Sequence, residues 1–327
     1  MRHVLARNWF LLLLLLAVGL AFLRPGWLHP FTDLWEPRLT MGFSLFLIAF
    51  TMPTTTLMAE IRQPYASLWA VLLSYGLVPT VAWLVGLVVP HPDLRIGLIL
   101  ISTVPCTLSS AILWTRMAGG NEATALLTVM GTTFTSWFLT TAWLYALTGT
   151  TPRFDVVAVA FDLVVSLLLP VMLAQALRGI PACKRLAERR KVLISALSQL
   201  FMLAIITRAA VNVGDRLHAQ DAQGAASIFA WGIALSIGLH LFALGSGIVS
   251  SRWLGFDRAR QIAVGFSASQ KTLQVSLVLY EQYYSHYAYA IIPLLFYHVG
   301  QLLLDTVIAK RIARQAAPLP EAPALVE

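Results

Sequence analysis

The sequence predicts an all-α polytopic membrane protein. Hydrophobic residues make up 58% of the chain and charged residues 12%, whereas a soluble domain carries about 25% charged residues. Apolar runs of about 20 residues, the length that spans a bilayer as a helix, recur from end to end. These runs are continuous rather than alternating, which excludes an outer-membrane barrel.

Ten membrane spans are predicted. The run after Arg7 resembles a signal peptide, but it lacks a convincing small-residue cleavage site and ends in the turn sequence Arg24-Pro25-Gly26, so we expect a retained first helix. The predicted spans cover residues 7–24, 39–60, 64–89, 95–117, 122–148, 154–177, 193–213, 226–249, 259–281 and 286–309.

The basic residues predict the orientation of these spans. Sixteen of the 23 Lys and Arg residues lie on the side of the N-terminus, six lie in the opposite loops, and Lys271 lies within span nine. Because positive loops face the cytoplasm, both termini are predicted to be cytoplasmic and the protein to reside in the inner (plasma) membrane. The net charge of +8 is therefore a topology signal, and no nucleic-acid partner is expected.

Ten spans divide into two halves of five. Residues 1–150 form the first half and residues 151–327 the second, within a single integral membrane domain. Five is an odd number, so the two halves would cross the membrane in opposite orientations, which is the inverted-repeat arrangement of many secondary transporters.

The fourth span of each half is the most polar near its middle. Span four contains Pro105-Cys106-Thr107-Leu108-Ser109-Ser110, and span nine contains Ser267-Ala268-Ser269-Gln270-Lys271-Thr272. Proline removes a helix hydrogen bond, and unwound backbone at membrane depth is tolerated where it lines a cavity or is buried in protein. Two interrupted spans in matching positions predict a binding site between them.

Four segments resemble the bile acid:sodium symporter superfamily, in its bacterial SBF-like branch, which is related to the seventh member of the human bile-acid carrier family. They are NWFLL at 8–12, VPCTLSSAILWTRMAGGNEA at 104–123, SASQKTL at 267–273 and PLLFYHVGQLLLD at 293–305. The resemblance implies a panel domain (spans 1, 2, 6 and 7), a core domain (spans 3–5 and 8–10), broken and crossing spans four and nine, and transport by alternating access.

The chain departs from the sodium-coupled members at their cation site. Those carriers have a glutamate followed four residues later by a glutamine in span nine, and both ligate sodium. With that glutamine aligned on Gln270, Phe266 occupies the glutamate position, and Ser74 falls where the carriers have a glutamine in span three. Hard cations prefer carboxylate and other oxygen ligands, so sodium coupling is doubtful and proton coupling becomes an alternative.

Lys271 is the principal site candidate. A charge near the middle of a span costs roughly 2.5–3.5 kcal/mol on insertion scales unless it faces a cavity or a partner. It could replace a bound cation, pair with an anionic substrate or titrate. The alternatives are that it extends to the membrane interface or forms a structural ion pair.

The remaining candidates are polar residues of the two breaks and of span ten. The hydroxyl and amide residues could cap the broken helix ends and contact a ligand, or serve ordinary interhelical hydrogen bonding. In span ten, His298, Gln301 and Asp305 share one helix face; His298 could shuttle protons, whereas Asp305 could be an interface residue near Lys310. The proposed binding residues are Lys271, Gln270, Ser269, Thr272, Thr107, Ser109, Ser110, His298 and Gln301.

These features favour a secondary-active transporter of a small or amphipathic organic anion. No zinc, nucleophile-elbow or phosphate-loop signature occurs, so we predict neither an enzyme nor a metal centre, and no cofactor beyond a coupling Na⁺ or H⁺. The expected partners are the substrate and the lipid bilayer, and a homo-oligomer is an alternative to a monomer. One alternative is a non-transporting regulator or scaffold. Another is a cation/proton exchanger, which would need a midplane carboxylate that spans four and nine lack.

Overall fold

The computed structural model describes residues 2–52, 60–148, 155–219 and 225–316, and the regular structure within these ranges is helical, without strands. Five helices are long and apolar enough to cross a membrane, which confirms a polytopic α-helical membrane protein. They are Tyr65–Val88, Val156–Arg178, Lys191–Asp215, Ser227–Trp253 and Ile291–Gln315. Shorter apolar helices cover Leu12–Leu23 and Pro37–Thr51.

We number the helices in chain order. The first helix ends at Leu23, before a 3-10 turn at Pro25–Trp27, where the sequence predicts a turn. The helices are α1 Arg2–Leu23, α2 His29–Thr32, α3 Pro37–Thr51, α4 Tyr65–Val88, α5 Pro92–Thr103, α6 Ser110–Met117, α7 Glu122–Thr148, α8 Val156–Arg178, α9 Pro181–Arg189, α10 Lys191–Ala219, α11 Ala225–Trp253, α12 Arg258–Ser269, α13 Leu273–Leu279 and α14 Ile291–Ala316. Part of predicted span two, residues 53–59, lies outside the described residues.

Both predicted interruptions are present. Residues 104–109 separate α5 from α6, and residues 270–272 separate α12 from α13. The residues that end the first members, Val104 and Gln270, have extended backbone with ψ of 159° and 129°. The sequence correctly predicted broken helices at spans four and nine.

Helix α4 is continuous but contains one π-helical turn at Leu73–Leu77, directly before Pro79. Such turns are rare insertions in α-helices and release a backbone carbonyl from the usual pattern. The N–H of Val78 donates to the carbonyl of Leu73. Pro79 has no N–H, so the carbonyl of Ser74 lacks a donor in its own helix.

The basic segment between spans six and seven is not the simple loop that the sequence predicts. It contains α9, which begins with a proline at its first position. Arg178, assigned from the sequence to the same loop, is buried, and its guanidinium donates to the carbonyl of Phe50 at 2.9 Å and to Glu188 at 3.4 Å.

The helices pack in two groups. Helix α10 packs against α1 and α3, and α8 also packs against α3. Helix α11 packs against α12 and α14, while α5 packs against α4 and α14. The α11–α12 contact is closest at Gly247, where a Cβ atom would lie 2.8 Å from the Cα of Gly265. This approach places the broken end of α12 deep within its group.

Candidate functional site

The two helix breaks meet inside the protein. The backbone N–H of Thr272 donates to the carbonyl of Pro105 at 3.0 Å, so the unwound segments satisfy each other. The N–H of Cys106 donates to Thr132 Oγ1 on α7 at 3.3 Å. Backbone groups that leave their helices therefore find partners in neighbouring segments, as burial requires.

Lys271 lies in the second break and is completely buried. Its Nζ donates to Ser74 O at 2.8 Å, Ser74 Oγ at 2.9 Å and Val104 O at 3.1 Å, and it lies 5.4 Å from the centroid of the Tyr75 ring. All three partners are neutral, and the ammonium forms no ion pair within the described part of the chain. The burial contradicts extension of the side chain to the membrane interface.

The oxygens that hold the ammonium are available for a definite structural reason. The carbonyl of Ser74 has lost its helix donor because a π-turn precedes Pro79. The carbonyl of Val104 lies just after the end of α5, where helix carbonyls lack intrahelical donors and the helix dipole favours a cation. Two separate disruptions of helical bonding thus create one site for a positive charge.

Gln301 of α14 fixes the backbone of the same lysine. Its Oε1 accepts from the N–H of Lys271 at 3.0 Å, and its Nε2 donates to the carbonyl of Lys271 at 3.0 Å. The Nε2 also donates to His298 Nδ1 at 2.8 Å. One amide side chain therefore replaces both helix hydrogen bonds that the break removes from this residue.

Gln270 connects the two breaks through its side chain. Its Oε1 accepts from Thr107 Oγ1 at 2.9 Å and from Ser110 Oγ at 2.6 Å. Its Nε2 donates to Asp305 Oδ2. The amide therefore joins the first break to α14, and its acceptor oxygen is occupied by hydroxyl donors of the protein.

The sequence suggested that Asp305 could be an interface residue near Lys310, but the structure shows otherwise. The carboxylate is fully buried, whereas Lys310 is exposed. Asp305 Oδ1 lies 2.9 Å from Nε2 of His240, a buried residue on α11. Spans four and nine lack a carboxylate, but α14 supplies one to their crossing. The sequence places Asp305 on the polar face of span ten, but it does not show the contact with His240, which is 65 positions away.

Some of the other predicted site residues lie at the crossing of the two breaks, whereas one is exposed. The Ser269 carbonyl accepts from Tyr297 at 2.7 Å, while Thr272 joins the crossing through its backbone. Ser109 precedes α6, is exposed and makes no side-chain capping bond. The Nε2 atom of His298 is buried without a hydrogen-bond partner among the described residues.

A second polar cluster lies near one end of the bundle. Glu122 pairs with Arg116 at 2.5 Å, as its position at the start of α7 suggested. Sequence reasoning missed Glu60, which is buried and accepts from Thr124 Oγ1 at 2.6 Å, with Arg260 Nε at 3.8 Å. This cluster ties the starts of α7 and α12 together.

Two polar contacts bridge the helix groups at the opposite end. Arg208 of α10 lies 3.3 Å from Glu281, which follows α13. Tyr283, in the same segment as Glu281, donates to Asp162 of α8. Among the described residues, no hydrogen bond joins the two groups at the end that carries Glu60.

Residues 8–314 match the model of the SBF-like CPA transporter family. Sodium/bile acid cotransporter 7 of Danio rerio is 23% identical, over 94% of each chain. The probable sodium/metabolite cotransporter BASS4, chloroplastic, of Arabidopsis thaliana is 25% identical, over 92% of this chain and 71% of the plant protein. An uncharacterized Pseudomonas aeruginosa protein, PA2026, is 27% identical over 71% of each chain.

Proposed function

Because this chain belongs to the SBF-like CPA transporter family, a family of transporters rather than enzymes, we propose that it is a secondary-active transporter of a small or amphipathic organic anion. The substrate crosses the lipid bilayer by alternating access. The driving ion is a proton, or no ion binds at the crossing of the broken helices. The observation that carries this proposal is the buried ammonium of Lys271, held by three neutral oxygens.

Lys271 acts as a tethered cation in this proposal. Oxygen atoms of carbonyl and hydroxyl groups are the ligands that hard cations take, and here they surround an ammonium instead. All three ammonium protons are used by Ser74 and Val104. The lysine therefore supplies a fixed positive charge rather than a direct hydrogen bond to substrate. While it is protonated, the lysine removes the need for sodium at this position.

The finer architecture belongs to the same proposal. Ten helices form two inverted five-helix repeats, residues 1–150 and 151–327. The panel comprises α1, α3, α8 and α10, and the remaining long helices form the core. The packing of α10 against α1 and α3, and of α8 against α3, supports this division, and α8 also packs against α7 of the core. The excess of basic residues on the N-terminal side supports cytoplasmic termini in an inner membrane.

The contacts between panel and core support alternating access. At the end predicted to face outward, Arg208 and Tyr283 bridge the groups to Glu281 and Asp162. The opposite end lacks such hydrogen bonds among the described residues. The arrangement corresponds to a state closed toward the outside, and breaking these contacts would accompany its opening.

Uptake into proteoliposomes tests the proposal. Labelled taurocholate, a sulfated steroid, pantoate and pyruvate would be offered under a sodium gradient, a proton gradient or neither. We expect uptake of at least one anion without sodium, and its loss in Lys271→Ala. Lys310→Ala is the matched control, because Lys310 is exposed on α14. Strictly sodium-driven uptake, or uptake unaffected by Lys271→Ala, would overturn the tethered-cation proposal.

Cation/proton exchange is a second candidate, favoured by one observation. The buried Asp305 carboxylate contacts Gln270 at the break and is the type of group that an exchanger requires at the midplane. Addition of Na⁺ or K⁺ to liposomes that contain a pH-sensitive dye distinguishes the two functions. An exchanger would alkalinise or acidify the lumen without any organic anion.

A further inference from the structure

The ring of His240 faces oxygen atoms at both of its nitrogens. Its Nε2 lies 2.9 Å from Asp305 Oδ1, and its Nδ1 lies 3.4 Å from the carbonyl oxygen of Ser269. The ring is completely buried and packs edge-to-face against Tyr297, with 5.5 Å between ring centroids. Both ring nitrogens therefore face protein atoms. The Ser269 carbonyl and an ionised Asp305 carboxylate are both hydrogen-bond acceptors.

This arrangement specifies how many protons the pair holds. A neutral imidazole has one N–H and one bare nitrogen, whereas an imidazolium has two N–H donors. A carbonyl oxygen only accepts, so a bond to Ser269 needs a proton on Nδ1. A bond between Nε2 and Asp305 needs a second proton, either on the ring or on the carboxyl group. The geometry thus accommodates two protons on His240 and Asp305 together.

The contacts of Asp305 are compatible with the charged form of this pair. Its other oxygen, Oδ2, accepts from Gln270 Nε2, whose amide oxygen already accepts from two hydroxyl groups. A carboxylate that accepts at both oxygens satisfies all of these donors. An imidazolium on His240 beside an ionised Asp305 therefore completes every bond in the network.

We propose that the His240–Asp305 pair is a proton-binding site, and that the proton it takes up is the one that drives anion transport. The inference rests on the proposed function and names its coupling ion. It assigns the proton to His240 rather than to His298, whose Nδ1 is occupied by Gln301. The ligand is H⁺, so no metal or cofactor is involved.

The charge of the site explains why proton and anion would bind together. With the proton bound, Lys271 and His240 are positive and Asp305 is negative, which leaves one net positive charge. After proton loss, the lysine and the carboxylate cancel. An anion therefore binds the proton-loaded site more tightly, and by linkage the anion favours proton uptake by the same factor.

The contact with Ser269 provides a structural response to the proton. Ser269 is the last residue of α12 and directly precedes the break. Loss of the proton on Nδ1 removes the bond between α11 and the end of α12. The Ser269 carbonyl then keeps its bond from Tyr297 at 2.7 Å. Proton release thus loosens one side of the break while the other side stays attached.

Among the described residues buried around the pair, Asp305 supplies the carboxylate. The other titratable or charged groups there are Tyr297 and His298 on α14, Lys271 and Cys106 in the two breaks, and Tyr75 on α4. None of them carries a carboxylate. Asp305 is therefore the negative partner that stabilises an imidazolium at His240.

Nuclear magnetic resonance of the full-length protein tests the site directly. The protein would be labelled with ¹⁵N-histidine, placed in sodium-free lipid bilayers and followed from about pH 5 to about pH 9, the range in which histidine changes charge. We expect the His240 ring, identified by its absence in His240→Gln, to carry two N–H groups at the acid end and one at the alkaline end. In Asp305→Asn the form with two N–H groups should be less populated than in the wild type, because the imidazolium has lost its counter-charge.

His29 serves as the internal control. It pairs with Asp215 at 3.2 Å, but both side chains are 41% exposed, so its ring signals should be the same in wild type and in Asp305→Asn. A His240 ring that keeps one neutral tautomer at every pH, in wild type and in Asp305→Asn, would overturn the proton site and leave sodium-independent anion uptake intact. Conversely, a titrating His240 in a protein that moves no anion would overturn the proposed function alone. Anion uptake that is indifferent to a proton gradient, with His240 titrating, would overturn the coupling.

Discussion

Replacement of Lys271 by methionine separates the charge of this residue from its size. The three hydrogen bonds of the ammonium are 2.8, 2.9 and 3.1 Å long, and bonds to a charged group contribute roughly 1.5–3 kcal/mol each. Their sum, about 4.5–9 kcal/mol, opposes a desolvation cost of several kcal/mol for a buried ion. We therefore expect Lys271→Met to change the free energy of unfolding by at most about 2 kcal/mol in either direction.

The effect of Lys271→Met on transport is measured separately from its effect on stability. The ammonium protons are all used within the protein, so an anionic substrate lies beyond contact distance. Two unit charges about 8 Å apart interact by about 2 kcal/mol at an effective dielectric constant of about 20, which corresponds to roughly 30-fold in binding. Thermal unfolding in detergent and anion uptake in proteoliposomes, each with Lys310→Met as control, measure the two quantities. A folded Lys271→Met protein that transports within about threefold of wild type would refute the fixed-charge role.

Further predictions address the supports of the site. Gln301→Leu removes the hydrogen bonds to both backbone groups of Lys271 and should destabilise the protein by about 2–4 kcal/mol. The measurement is the unfolding temperature, which should fall. An unchanged unfolding temperature would contradict a stabilising role for these two hydrogen bonds. Gly247→Ala places a Cβ atom 2.8 Å from the facing helix and should cost about 1–3 kcal/mol, whereas Gly238→Ala, with nothing within 4 Å, should be neutral or slightly stabilising. A double-mutant cycle of Arg208→Ala and Glu281→Ala should give a coupling of about 0.2–1 kcal/mol, because the pair is partly exposed; zero coupling would mean that the contact does not help to close the outer end.

Strong local signals made much of the fold predictable. Long apolar runs gave the membrane class, and Arg24-Pro25-Gly26 correctly marked the end of α1. Pro105 and the polar residues around Lys271 predicted both helix breaks. The basic segment after Arg178 was misread as a loop, because its charges obscured the short helix α9.

The partners of the buried charges were much less predictable. Ser74 was identified through its position in the family pattern, but the carbonyl oxygens of Ser74 and Val104 carry no side-chain signal. The π-turn that frees one of them depends on Pro79, whose consequence is visible only in the helix geometry. His240 appeared as an isolated polar residue although it contacts Asp305.

Local features of the chain are sufficient to predict a helical membrane protein, two interrupted spans and a lysine within one interruption. These properties follow from hydropathy and from proline chemistry, which act over short stretches of chain. Tertiary structure alone decided that the lysine is held by neutral oxygens and that a histidine–aspartate pair lies at the same crossing. Those contacts join residues up to 197 positions apart, and their identity depends on how the helices pack, because no local pattern in the chain encodes a hydrogen bond between distant backbone and side-chain atoms.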